Sequence, residues 1–357
     1  MVQSSAYGEA IPFVFGRMRV AGNVIWSSGI DEQVDSAGGG KGGPATNQYS
    51  YSSSFAVGLT ARHIAGIGRI WADGRMIRDG DGVWSLPVQM RLHLGSEQQL
   101  PDPLIAAAEG DGLAPAYRGL AYAVFEDLPL ADFGNRIPNL SFEVIADDGA
   151  AGLDFAGAAA GLAAQAGDKG IALGAEGGFP ELSGFVAARA GSLGTNLAPI
   201  VEALGIAVSD DDGALTLRRV ADPAAFAPGI TGLELDAVID CQARPVSGGD
   251  GLDERTPADR QTLAGGEQAD SLEIGHYAAD RDYLAGLQRV RRSAGQRVEQ
   301  LVLPVAMAAG RAKALAAELL VQRRAGRLTR VLRLPWRFVA LTPGTLVRVS
   351  DLRRYGG

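Results

Sequence analysis

Cysteine is almost missing from this 357-residue sequence: Cys241 is the only thiol. One thiol cannot close a disulfide within the chain or supply a four-thiolate zinc or iron–sulfur site, and it fits a protein made in a reducing cytosol. Positive charge is also in deficit. Lys and Arg number 33 against 41 Asp and Glu, a formal net charge of −8, so a surface built to grip nucleic-acid phosphates or anionic lipid is disfavoured. No apolar run approaches the ~18 residues needed to span a bilayer, and Met1 to Ala10 has no basic segment followed by an apolar stretch, so neither a membrane helix nor a secretory leader is expected. Aromatic residues make up only 6%, which weighs against stacking on sugar rings. No period of 20 to 50 residues recurs, so a solenoid or propeller is not indicated.

What is present points to a folded, turn-rich protein. Hydrophobic residues at 46%, with 21% charged, exclude general disorder, while 49 Gly and 17 Pro predict many turns. The length exceeds what one core usually serves and predicts two or three domains. Up to Asp148 the pattern is period two. Tyr49, Tyr51, Phe55, Val57 and Leu59 alternate with Ser and small residues, predicting one buried face. Met90, Leu92 and Leu94 alternate with Arg91 and His93, and Leu120, Tyr122 and Val124 form another such run. Asp73-Gly74, between Ile70-Trp71 and Met76-Ile77, predicts a tight hairpin.

A first β-rich domain over 1–148 is therefore expected. A small α+β lobe should follow over 149–222. There Ala151–Gly167 could be a weak helix, Leu197, Ile200, Val201 and Leu204 predict a helix capped by Thr195 or Asn196 and stopped by Gly205, and a hairpin turns at Asp210–Gly213. A second β-rich domain is expected over 223–357, with a Gly/Asp-rich loop near 245–266. It should carry strands at Glu299–Leu303, Leu328–Leu334 and Leu346–Val349, and an inserted helix over Ala308–Ala325 built on Leu315, Leu319 and Leu320.

Signals for chemistry are weak. Gly38, Gly40 and Gly43 with Lys41 fit G-x-G-x-x-G, but a polar segment precedes them, no Ser or Thr follows the Lys, and a strand comes next, so a hairpin loop is the better reading. His63, His93 and His276 lie far apart and predict surface or sheet histidines rather than a zinc site. No G-x-S-x-G elbow is present. Asp79–Gly82 and Asp210–Gly213 lack the spacing of a calcium loop and read as solvated turns. Arg289–Arg292 and Arg323–Arg327 read as solvated faces or contacts to acidic neighbours. A pair of carboxylates brought together only by the fold remains open. No catalytic, cofactor-binding or metal-binding residue is assigned.

One resemblance covers nearly the whole sequence. Tyr7-Gly8-Glu9-Ala10-Ile11-Pro12-Phe13-Val14-Phe15-Gly16-Arg17 through Trp26, the Gly-rich loop with Lys41, Tyr49–Val57, Ile67-Gly68-Arg69-Ile70-Trp71-Ala72-Asp73-Gly74, Leu197–Leu217, Asp280-Arg281-Asp282-Tyr283 and Leu341–Val347 occur in that order. This resembles the large tail-tip (megatron, or host-specificity) protein of long-tailed phages and gene transfer agents, related in its hub part to the lambda tail-tip protein. The resemblance implies an α+β, mostly β fold. Antiparallel β-barrel-like hub domains with a small α+β lobe would form a ring as a homotrimer. It implies a structural virion protein at the tail tip, assembled in the bacterial cytoplasm. Such a protein would link the tail tube to distal host-contacting parts and act as a conduit for DNA ejection. Its neighbours would be the distal tail protein, tape measure and other hub or fibre proteins. Double-stranded DNA would pass without specific binding, and the host envelope would be reached through other chains. Acidic side chains lining the bore would keep DNA from adhering. Tyr7, Gly8, Pro12, Gly16, Arg17, Trp26, Trp71, Asp73 and Gly74 are its signature positions, expected to define the fold. Only Met1–Ala6 precede the opening motif, Thr345 stands where the family has Asp, and the sequence stops at Gly357, so a shortened or split version is expected. A peptidoglycan hydrolase or peptidase, or a receptor-binding module, stays open as an alternative.

Overall fold

The computed structural model describes residues 9–37, 46–110, 112–147, 153, 155–165, 172–176, 182–187, 192–211, 214–219, 233–235, 240–244, 269–291, 297–325, 329–341 and 347–349. Tyr7, Gly8, the Gly-rich loop at 38–45, the segment at 245–268, Gly326 and Pro343-Gly344 lie outside the described residues. The chain begins with β1 (Phe13–Ala21), β2 (Asn23–Ser27), β3 (Asp31–Ala37), β4 (Thr46–Thr60), β5 (Gly66–Ala72), β6 (Arg75–Arg78) and β7 (Gln89–Leu94). Next come α1 (Pro103–Glu109), β8 (Ala121–Pro129), β9 (Leu140–Ile145), α2 (Phe155–Gln165), β10 (Ala172–Glu176), β11 (Gly184–Ala187) and α3 (Leu193–Leu204). The rest comprises β12 (Ile206–Asp211), β13 (Ala214–Arg219), β14 (Leu233–Leu235), β15 (Asp240–Arg244), β16 (Ser271–Ala278), β17 (Leu284–Arg291), β18 (Val298–Met307), α4 (Ala309–Ala325), β19 (Thr329–Arg333) and β20 (Val347–Val349). The fold is mostly β with helices, an α+β protein. Its sheets are open, and no closed barrel forms among the described residues.

Contacts divide the chain into two units. The first comprises Met1–Leu153, Leu182–Gly191 and Ala279–Tyr283; the second comprises Asp154–Glu181, Ser192–Ala278 and Leu284–Gly357. The first unit is built on two sheets. In one, β1 pairs with β11 through Phe13–Gly16 and with β9 through Arg17–Ala21, so the strand changes partner midway. Gly16 makes that change possible. Its φ is +65°, and a Cβ there would lie 2.6 Å from the Ser183 carbonyl oxygen, a backbone approach only glycine permits. The other sheet has the order β2-β4-β8-β7, with β3 also on β4. Phe55 stacks on Phe125 at 5.2 Å, and Phe125 meets Phe142 of the first sheet at 6.2 Å. Each of these fully buried rings contributes roughly 1.5–3 kcal/mol of burial.

Strand β4 departs from the expected one-sided burial. Ser53 to Thr60 are buried on both faces, whereas Tyr49 is exposed. The reason is packing on both faces: Phe55 stacks on Phe125, which meets Phe142, while the next residue, Ala56, points to the other face and joins the cluster of Ile105 and Tyr122; the N-terminal part of β4 pairs only with β3 among the described residues. The Asp73-Gly74 hairpin forms as expected, both residues having positive φ. Helix α1 went unanticipated although its signal is present: the Asp102 side chain caps it and Pro103 occupies the first turn.

In the second unit, α3 starts three or four residues earlier than expected, because Ser192 rather than Thr195 or Asn196 is its N-cap; the Ser192 hydroxyl accepts from the Thr195 amide. Gly205 ends it in the left-handed conformation, and Leu197, Ile200 and Leu204 are buried. The β12–β13 hairpin follows as expected, with β10 added in parallel on β13. Strands β17, β16 and β18 lie side by side. Helix α4 packs on β16 and β17, burying Leu315, Leu319 and Leu320. The remaining strands pair as β14 with β20 and β15 with β19.

Candidate functional site

Three signature segments meet in the first unit. Arg19 belongs to the opening motif, Arg69 and Trp71 to the segment before the Asp-Gly hairpin, and Asp282 and Tyr283 to the Asp-Arg-Asp-Tyr motif. Glu143 of β9 gathers them. Its carboxylate is 10% exposed, placed in β9 between buried Phe142 and Val144. A bulge in β5 between Ile67 and Ile70 turns Arg69 onto it. Arg69 donates from Nε at 2.8 Å and from its amide at 3.1 Å to Glu143 Oε2, and from Nη2 at 3.1 Å to Oε1. The Tyr283 hydroxyl donates to the same Oε1 at 2.9 Å across 140 residues of sequence.

The knot extends outward. Arg69 Nη1 also pairs with Asp282, and Arg19 donates from Nη1 to the Asp282 carbonyl at 3.0 Å. The Arg19 guanidinium lies 3.9 Å from the Trp71 ring centre, a cation–π geometry. Asp282 and Tyr283 both adopt positive φ, 53° and 58°, which costs roughly 1–2 kcal/mol per residue for side chains other than Gly; their bonds to Arg69 and Glu143 offset it. Burial pushes the Glu143 carboxyl up, but the Arg69 bonds and the Tyr283 hydroxyl outweigh that and hold it below its ordinary value. Burial and the neighbouring Glu143 both raise the Tyr283 phenol.

A second buried carboxylate was not singled out by sequence. Asp102, fully buried, receives Arg91 Nη2 at 2.9 Å and the Leu104 amide at 2.9 Å on Oδ1, and Arg91 Nε at 2.8 Å on Oδ2; His93 Nε2 lies 2.9 Å from that oxygen. Arg91 also reaches Glu126 at 2.5 Å, and the His93 ring stacks on Tyr122 at 4.3 Å. Burial raises the Asp102 carboxyl, yet the bonds from Arg91, His93 and the Leu104 amide prevail and hold it at about 2. The usable signals were Arg91-x-His93 on one face of a strand and an Asp-Pro helix start. Each oxygen of Glu143 and of Asp102 has two polar partners, and both carboxylates face a guanidinium. Such an arrangement fixes backbone segments to one another.

The remaining described signature residues make contacts that hold the fold. Pro12 accepts the Ala61 amide through its carbonyl, and the Arg17 amide donates to Ser183. Trp26 packs against the cluster of Ile105 and Tyr122 and donates from Nε1 to Glu109 at 2.8 Å. Trp71 is buried. Asp73 accepts from Arg136 and from the Asn139 amide, while Gly74 supplies the hairpin's second positive φ. Of the histidines, His63 is exposed, His93 meets Asp102, and His276 is buried in β16. Asp79 spends its Oδ1 on the amides of Asp81 and Val83, the mark of a turn. Arg289 and Arg323 contact acidic neighbours as expected, Glu273 for the first and Glu202 and Glu299 for the second.

Residues 194–356 match the family described as "Putative phage tail protein". A chain of the virion of a native gene transfer agent particle is similar at 25% identity with a TM-score of 0.74, covering 98% of this chain and 81% of that one. A 43 kDa tail protein of prophage MuSo2 from Shewanella oneidensis aligns at 12% identity over 91% of this chain and 89% of its own, with a TM-score of 0.33. A tail protein from Neisseria meningitidis MC58 aligns at 13% over 91% and 87%, with a TM-score of 0.31. No curated protein matches. The family match over residues 194–356 and the likeness to the gene transfer agent chain along most of the sequence make this chain similar to the tail proteins of phages and gene transfer agents.

Proposed function

We propose that the chain forms the tail-tip hub: three copies encircle a passage, join the tail tube to more distal parts, and let double-stranded DNA leave through the centre. The observation that carries this reading is the likeness along 98% of the chain to a chain of a gene transfer agent virion, together with the opening, Trp-Ala-Asp-Gly and Asp-Arg-Asp-Tyr motifs converging on one ion-pair knot. A knot of this kind serves a part that must keep its shape under load. The formal charge of −8 per chain suits a bore that must not hold DNA, because like charges repel phosphates at short range.

The test is a density map of intact particles carrying this chain. Three copies ringed at the tail tip support the proposal; the chain in the head or along the tail tube overturns it. A cleared band on a peptidoglycan zymogram with the purified protein would replace assembly by turnover as its role.

A further inference from the structure

Two strand margins carry complementary chemistry. β3 bonds to β4 alone and β17 bonds to β16 alone among the described residues, so each presents an unpaired row of backbone donors and acceptors. Neither contains Pro; each carries charges, and a strand of opposite charge is the template partner that such a free margin still accepts. The margins differ in sign. β3 carries Asp31 and Glu32, while β17 carries Arg289 and Arg291. Each also exposes an apolar side chain: Val34 at 47%, beside Tyr49 at 54% to which it is paired, and Leu287 at 51%.

Resting on the hub reading above, we propose that β3 of one copy adds antiparallel to β17 of the next, with Glu32 opposite Arg289 and Val34 opposite Leu287. Residues two apart share a face of a strand, so this single register places a charge pair and an apolar pair together on one face. A slip of one residue turns Glu32 and Val34 to the face opposite Leu287 and Arg289. Arg289 already leans on the Ser271 hydroxyl at 3.0 Å and lies 3.6 Å from Glu273, yet its side chain stays 46% exposed and its donors are not exhausted. Charge selects the partner. Antiparallel over its full length, β3 on β3 sets Glu32 opposite Ser36 and β17 on β17 sets Arg289 opposite Gly286, so self-pairing gives neither charge the opposite charge that favours a cross-strand pair. The contact is therefore head-to-tail, the kind that closes into a ring when the rotation allows. The partner is a second copy of this chain.

The experiment uses the full chain with Cys241→Ser, as two differently tagged single-thiol variants, Val34→Cys and Leu287→Cys. Mixed and mildly oxidised, they should give a disulfide joining the two tags, and a Val34→Cys with Gln288→Cys mixture should not. Separately, Glu32→Arg or Arg289→Glu should weaken self-association at least tenfold by sedimentation, and the double exchange should restore it. Assembly of three copies without the Val34–Leu287 bond and without charge-exchange rescue overturns the strand pairing while leaving the hub reading in place. A chain that stays monomeric at every concentration overturns both. Cross-linking only to a different virion protein overturns the choice of a second copy. If a cysteine variant does not fold, the charge exchange alone decides.

Discussion

Replacing Asp102 with asparagine removes one negative charge from a fully buried position while keeping the side-chain oxygen that caps α1 through the Leu104 amide. The folded carboxyl sits at about 2 against an ordinary 3.8, a difference equivalent to roughly 2.5 kcal/mol of stability at neutral pH. Asparagine also turns an NH2 toward Arg91 and His93, setting donor against donor. Asp102→Asn should therefore lose about 2–3 kcal/mol at pH 7, and Asp102→Ala about 1 kcal/mol more for the lost cap. The pH dependence has a definite sign. The folded value is depressed, so the unfolded chain takes up the proton first, and the wild-type contribution, complete above about pH 5, is lost as pH falls toward 2. Urea unfolding followed by circular dichroism at pH 7 and at steps between pH 4 and 2 measures both effects. The gap between wild type and Asp102→Asn should shrink over that interval. A gap below about 0.5 kcal/mol at pH 7, or one that stays constant down to pH 2, refutes the account of the buried pair.

Tyr283→Phe deletes one bond to a charged acceptor and should cost about 2 kcal/mol in thermal unfolding; an unchanged midpoint means that the phenol does not anchor its motif. Gly16→Ala forces a Cβ to 2.6 Å from the Ser183 carbonyl at φ +65° and should lower stability by at least ~2 kcal/mol, or abolish soluble expression. His276 is 3% exposed, and among the described residues neither ring nitrogen is hydrogen-bonded. His276→Leu removes an unsatisfied polar ring and should raise stability by about 1 kcal/mol. A loss of that size in the melt would show that the imidazole has a partner.

Periodicity is a local property of the chain, and what depended on it was legible. The alternation in Tyr49–Leu59 predicts β4, Asp73-Gly74 predicts the β5–β6 turn, and the spacing of Leu197, Ile200 and Leu204 with Gly205 predicts α3 and its end. Leu315, Leu319 and Leu320 likewise locate the buried side of α4. Strand β17 escaped notice because its alternating arginines look like a solvated run, whereas in the fold they form one face of a strand bonded to β16. Glu143 and Asp102 are ordinary carboxylates in the sequence. Their roles arise only when Arg69 and Tyr283, or Arg91 and His93, are delivered to them, in the case of Tyr283 across 140 residues. A linear division into segments likewise cannot express units that each draw on three separate stretches of chain. Side-chain spacing settles which elements form, because it requires no information beyond a few neighbouring residues. Which buried charge finds its counter-ion depends on long loops closing in one topology, and that is decided by the packing of the whole unit.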